Sequence, residues 1–274
     1  MNRSANLAVL VYPPFFAASL IAAAGLVAFG QQPDVKTIIQ KSVEANQRDF
    51  DAANRFTYDE RDKVGQGTKT YHVLMIEGSP YYELIAVNGK PLPPDQAAQE
   101  RQKLQQEIAK RKAETPAQRQ QRIARYERDR KRDENMLDQM TNAFNFQLAG
   151  TRKLDGFEVY YLKATPRPGY RPPNRDAEVL TGMEGQLWID KNSFQWVKVT
   201  ARVIKPVSIE GFLAEVEPGT YFELEKMPIE DDIWGVKHFA MHSHAKILFL
   251  FNHSASEEEW HFNYKPLNHS NTDK

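Results

Sequence analysis

Residues 184–205, EGQLWIDKNSFQWVKVTARVIK, decide the fold. Gln186-Leu187-Trp188-Ile189 is a short run of β-formers, and 194–204 is a longer one. Asp190-Lys191-Asn192-Ser193 between them is a polar turn of hairpin length. Taken by twos, Val197, Val199, Ala201 and Val203 share one face of the longer run, while Lys198, Thr200 and Arg202 share the other. One side on a core and one side wet is the pattern of an antiparallel sheet.

Working outward, strand signals recur upstream at 55–63, 68–76 and 81–87, punctuated by Gly65, Gly67, Gly78, Ser79 and Pro80 and ended by a tight turn at Asn88-Gly89. In the second of these, Tyr71, Val73 and Met75 alternate with His72, Leu74 and Ile76, so both faces are largely apolar. A strand of that kind is usually covered on both sides. Strands resume at 145–148 and at 157–164 across Asp155-Gly156, and continue at 220–226, 233–241, 245–252 and 259–264. Residues 165–175, TPRPGYRPPNR, hold four prolines and cannot join a central ladder.

Two helical regions interrupt the strands. Asp34 is placed to cap a helix running to about Phe50, with Val35, Ile38, Ile39 and Val43 on one stripe. Residues 95–143 read as two long helices broken at Thr115-Pro116, with Thr115 as N-cap and Pro116 as first helical residue. Their apolar stripe is thin, so the pair either projects from the sheet or folds back over its mouth. The expected fold is mainly β (α+β): a strongly curved, open antiparallel half-barrel sheet with an N-terminal helix and an inserted helical hairpin at 95–143, forming one domain over 31–274.

Residues 1–30 read as an address. Arg3 supplies a positive start, Leu7 to Val27 is nearly all apolar, and Ala28-Phe29-Gly30 offers small residues at −3 and −1 of a cut. Cleavage near Gly30 and export to the periplasm are expected, against the competing reading of an uncleaved inner-membrane anchor. Lysine plus arginine and aspartate plus glutamate both number 36, so no global field favours nucleic acid. The chain has no cysteine, which excludes disulfides, thiolate metal sites, a catalytic thiol and a lipid-anchor cysteine.

Candidate chemistry is sparse. His238, His242 and His244 share one strand face by period two, and His242 and His244 are close enough to share a metal, as a weaker alternative to a wet face dotted with histidines. Glu257-Glu258-Glu259 and Glu230-Asp231-Asp232 read as solvated charge near turns. There is no nucleophile elbow, P-loop or dinucleotide fingerprint. The expectation is therefore a non-enzymatic protein without a cofactor. Arg128, Arg130 and Arg132 are candidates for contact with an anionic headgroup or a partner.

Gly156-Phe157-Glu158-Val159-Tyr160, followed downstream by Leu187-Trp188-Ile189-Asp190-Lys191, completes a pattern of N-terminal helix, opening strands, inserted helices and later strand pairs. Over most of 34–266 it resembles the outer-membrane lipoprotein-sorting carriers (LolA-like) and related periplasmic sensor and lipid-binding domains. That resemblance implies an apolar sheet cavity lidded by helices, binding a lipid or lipoprotein acyl chain, or else a sensor that docks an envelope protein through 95–143. Burying a methylene is worth about 0.8 kcal/mol, so a 14-carbon chain gains roughly 10 kcal/mol gross. The candidate cavity wall is Val73, Met75, Leu84, Leu187, Ile189, Val197, Val199, Val203, Phe239, Ile247 and Phe249.

Overall fold

In the computed structural model, which describes residues 33–209, 214–247 and 251–267, the central hairpin is built on one carboxylate. Asp190 Oδ2 accepts the backbone N–H groups of Asn192 (3.1 Å) and Ser193 (2.7 Å) and the Ser193 hydroxyl (2.8 Å). This Asx turn joins β7 (Met183–Asp190) to β8 (Trp196–Val203). The pairing shifts register between Trp188 and Ile189, where Ile189 faces Trp196 and Trp188 faces Lys198. The extra residue is Val197. A bulge resets the alternation, so Val199 and Val203 stay on the main core face, while Val197 packs with Val159 and Trp234 in a second, smaller cluster. The expected leader at 1–30, its cut near Gly30, and Phe249 lie outside the described residues.

In chain order the remaining strands are β1 (Phe56–Val64), β2 (Gly67–Ile76), β3 (Ser79–Val87), the two-residue β4 (Lys90–Pro91), β5 (Phe144–Leu154), β6 (Phe157–Pro166), the short β9 (Val207–Ile209) and β10 (Ala214–Val216), β11 (Tyr221–Glu230), β12 (Ile233–Ile247) and β13 (Phe251–Pro266). They form one open antiparallel sheet ordered β4-β3-β2-β1-β13-β12-β11-β8-β7-β6-β5, with β10 bridging β9 to β12. Glu77-Gly78, Asn88-Gly89 and Asp155-Gly156 turn three of the hairpins with positive φ at both central residues, the twist that matches the flanking strands. Of the proline-bearing segment 165–175, Thr165 and Pro166 still pair with β5 on one side only; the rest stays out of the ladder and leads into a 3-10 segment, Asp176–Gly182, which the sequence reading did not anticipate.

Residues directly opposite one another in antiparallel strands point to the same face. One such line crosses the sheet as Leu148, Leu162, Leu187, Val199, Leu224, Phe239, Glu259, Asp62 and Lys69, from β5 to β2. It is hydrocarbon through β12 and turns acidic at β13. A parallel line does the same, running from Ala201 through Phe222 and Met241 to Glu257.

Helix α1 (Val35–Ala52) begins as expected, with Asp34 accepting the Thr37 N–H at 2.9 Å, and lays Ile38 and Ile39 on the hydrocarbon half. Its far end is fixed by a buried polar knot. Asp49 pairs with Lys226 of β11 and accepts from the Trp234 backbone (2.9 Å) and Gln195 Nε2 (3.0 Å). Lys226 also donates to Asn46 at 2.9 Å. Burial pushes the Lys226 ammonium below its ordinary pKa, and Asp49 opposes that shift.

Helices α2 (Pro94–Lys112) and α3 (Pro116–Ala143) connect the two edge strands, β4 and β5, and meet at a capping box in which Thr115 and Gln118 satisfy each other's backbone N–H groups. Of the two arrangements the sequence left open, the pair folds back onto the sheet. Arg111 donates to the carbonyls of Ile76 (2.9 Å), Ser79 (2.8 Å) and Pro80 (3.2 Å), and Arg122 to Glu77 O (3.0 Å) and the Ser79 hydroxyl (2.7 Å). Gly78 lies beneath Ile123: a Cβ there would come within 2.9 Å of its methyl, at a φ of +85°. The β2–β3 turn is thus shaped to receive the helices. None of the described helices is long and apolar enough to cross a membrane.

Candidate functional site

Two places on this scaffold carry chemistry. The first is a cleft of about 650 Å³ between α1, the end of α3 and β5. Val35, Ile39, Val43, Phe144 and Phe146 give it an apolar floor, and Lys36, Arg167 and the carboxylate Glu44 stand on its lining. Arg167 also donates to Phe144 O at 2.9 Å and Thr141 O at 3.1 Å, which ties β6 to the end of α3. The edge strand β5 has no strand neighbour beyond it among the described residues, and that leaves the cleft open on one side.

The second lies where the sheet's covered face turns acidic. Glu60 of β1 sits directly opposite His261 of β13, and Asp62 directly opposite Glu259. His261 Nε2 lies 3.2 Å from Glu259 Oε1 and 3.5 Å from Glu60 Oε2. Aromatic rings wall the group: Tyr58 stacks on His261 at 4.9 Å and on Tyr264 at 5.1 Å. Burial, then Glu259 and Asp62, lifts the Glu60 carboxyl to about 8. Asp62 and Glu257 are raised too, burial being the first cause in each. Desolvation likewise raises the phenols of Tyr58, Tyr82 and Tyr264.

The residues named from sequence are dispersed by the fold. Leu187, Ile189, Val199 and Val203 are packed core against Ile38 and Ile39, and none of them lines the 650 Å³ cleft. Val197 is on the opposite face. Val73 is buried on β2, with Met75 and Leu84 half-buried nearby. Phe239 meets Phe222 edge-on at 5.4 Å, and Ile247 pairs with Ala214 at the end of β12.

The arginine trio also divides. Residues two apart on a helix do not share a face, so Arg128 and Arg132 are exposed while Arg130 turns inward. There it donates to Phe50 O, lies 4.2 Å over the Phe50 ring, and so joins α3 to α1. His242 and His244 come together with ring centroids 4.5 Å apart, but each Nδ1 faces a serine hydroxyl, Ser256 and Ser254 respectively. The acidic run at 257–259 is not uniformly solvated: Glu258 pairs with Lys63 at 2.9 Å on the opposite face from Glu257 and Glu259.

The sequence reading missed Glu60, Asp62, Glu259 and His261 as a group. A signal existed in the alternation Tyr58, Glu60, Asp62, which places two acids on the face of a buried aromatic. What it lacked was the partner strand, some 200 residues away.

No family model matches the chain, and no curated protein does. Solved structures do. The chain is similar to a putative outer membrane lipoprotein-sorting protein domain from Vibrio parahaemolyticus (11% identity, 84% of this chain and 94% of that one, TM-score 0.29). It is also similar to a LolA superfamily protein from Nitrosomonas europaea (12%, 85% and 93%, TM-score 0.31). A third match is the MucA/MucB complex of Pseudomonas aeruginosa (9%, 83% and 99%, TM-score 0.21). At such scores the likeness carries no argument about ligand or partner, and the fold class stands on the strand pairing itself.

Proposed function

We propose that this chain is an exported, periplasmic, non-enzymatic binder of a lipid or lipoprotein acyl chain, and that the chain enters the cleft between α1, α3 and β5. The observation that supports this reading is the pairing of an apolar floor with cations on one lining: Val35, Ile39, Val43, Phe144 and Phe146 for hydrocarbon, Lys36 and Arg167 for an anionic head. Its volume falls within the range of small-molecule pockets, roughly 300–1,000 Å³. Residues Leu187, Ile189, Val199 and Val203 serve as the packed layer behind Ile39, which keeps that floor rigid.

The test is uptake of a fluorescent fatty acid, with native mass spectrometry of protein taken from its own envelope. Val43→Glu places a charge in the floor at a half-buried position and is expected to weaken uptake at least tenfold with little change in Tm. Absence of any co-purifying lipid, together with no uptake by the unaltered chain, overturns the reading. A docking role for 95–143 toward an envelope protein or anionic membrane is the second reading. It is favoured by the exposure of Arg128 and Arg132 on a helical pair whose other face is anchored to the sheet.

A further inference from the structure

We infer that Glu60, Glu259 and His261, with Asp62 beside them, form a binding site for a divalent transition-metal cation, best suited to Zn²⁺, on the covered face of the sheet. The inference is independent of the acyl-chain reading, since the two sites share no residue. The three donors and Asp62 occupy neighbouring same-face cross-strand pairs, Glu60 opposite His261 and Asp62 opposite Glu259. One ligand atom from each of Glu60, Glu259 and His261 lies within 4.8 Å of the others. For bonds of about 2.0–2.1 Å the edge of a coordination tetrahedron is about 3.3 Å. The two distances from His261 Nε2, 3.2 and 3.5 Å, bracket it.

The unsatisfied atoms point the same way. The His261 and Glu60 side chains are each 10% exposed, and His261 Nε2 and Asp62 Oδ1 are buried with no hydrogen-bond partner. The imidazole is oriented by its neighbour. The Tyr264 hydroxyl donates to Val236 O at 2.8 Å, so its oxygen is left to accept from His261 Nδ1 at 3.3 Å. With Nδ1 so engaged, Nε2 is the ring atom turned toward the Glu60 and Glu259 carboxyl groups. Two carboxyl groups and an imidazole nitrogen turned toward one point need a shared cation between them, a proton or a metal ion, and the spacing admits the larger of the two. Orientation of a ligating histidine through its second nitrogen is the usual outer support of such a site, and the Tyr58 stack holds the ring plane. Mixed nitrogen and carboxylate donors suit zinc.

A second group, Glu223, Glu225 and His238, has similar spacing but is already neutralised: Lys198 reaches both carboxylates, at 2.9 and 3.0 Å.

Zn²⁺ alone, titrated calorimetrically into tag-free, chelator-stripped full chain, is expected to bind at one ion per chain. His261→Gln is expected to weaken binding at least tenfold, Tyr264→Phe severalfold, and His242→Ala within twofold of no change. Co²⁺ in place of Zn²⁺ gives visible absorption bands of tetrahedral strength that disappear in His261→Gln. Should that variant not fold by far-UV circular dichroism, Glu259→Gln, at a half-buried position, carries the same expectations. No saturable uptake, or uptake that neither the His261 nor the Glu259 change alters, overturns the site.

Discussion

Between β5 and β12 the covered face of the sheet is held by hydrocarbon, whereas from β13 to β3 it is held by aromatic rings, buried acids and arginine. The strand geometry is the same in both halves and a single line of paired residues runs through them. Leu187, Val199 and Phe239 occupy on one side the positions that Glu259 and Asp62 occupy on the other. The covering elements differ to match. The hydrocarbon half takes the amphipathic α1. The acidic half takes α2 and α3, whose apolar stripes are thin and which are fastened by guanidinium groups to the β2–β3 turn. Apart from the polar knot at the end of α1, non-directional burial secures the first half, whereas directional hydrogen bonds secure the second, so the two halves are expected to fail by different routes.

The largest expected effect lies at the end of α1. Asp49→Ala strands a buried ammonium and the Trp234 N–H, and a loss of about 3–5 kcal/mol in urea unfolding is expected. Asp49→Leu combined with Lys226→Met should recover most of it; no recovery would mean that the knot positions α1 through more than its charge balance. Next comes the shared line itself. Leu187→Ala is expected to cost about 2–5 kcal/mol, while Glu259→Ala, four strands along, should stay under about 1 kcal/mol in metal-free protein. Equal costs would erase the distinction between the halves.

Arg111→Ala is expected to cost about 1.5–3 kcal/mol, with faster hydrogen exchange at residues 76–80 and across α2 but not α1. Uniform acceleration would show the helices to be one cooperative unit with the rest. The smallest effect is a pH dependence. The Glu60 carboxyl ionises near 8 in the folded chain against 4.5 ordinarily. The folded state therefore holds a proton that the unfolded state releases, and stability present below pH 4.5 is lost as pH rises toward 8. In chelator-treated protein the wild-type Tm should fall over that interval, and Glu60→Gln should flatten the fall; parallel curves would reject the assignment.

Much of the fold was legible because its signals are local. Asp34 and Thr115 cap their helices with side chains two or three residues from the groups they satisfy. Asn88-Gly89 and Asp155-Gly156 turn their hairpins because those residues accept positive φ. The Asp190 turn was set by its own neighbours. That Arg130 turns inward while Arg128 and Arg132 stay exposed shows only around the helix, not along the chain. Val197 was placed on the core face because strict alternation takes no account of a bulge, and that bulge depends on how β8 pairs with β7.

By itself, then, the sequence determined the helices, most strands and the chemical character of most strand faces, because propensity, capping and periodicity act over a few residues; it divided the continuous β12 at Met241 and began β13 only at Glu259. Only tertiary structure decided which faces met. The pairing of β1 with β13 brings Glu60 to His261, and the approach of α1 fills the trough over Leu187 and Val199 while leaving a cleft beside β5. The physical reason is range: sites assembled across some 200 residues depend on register and packing, and neither leaves a mark in any short stretch of chain.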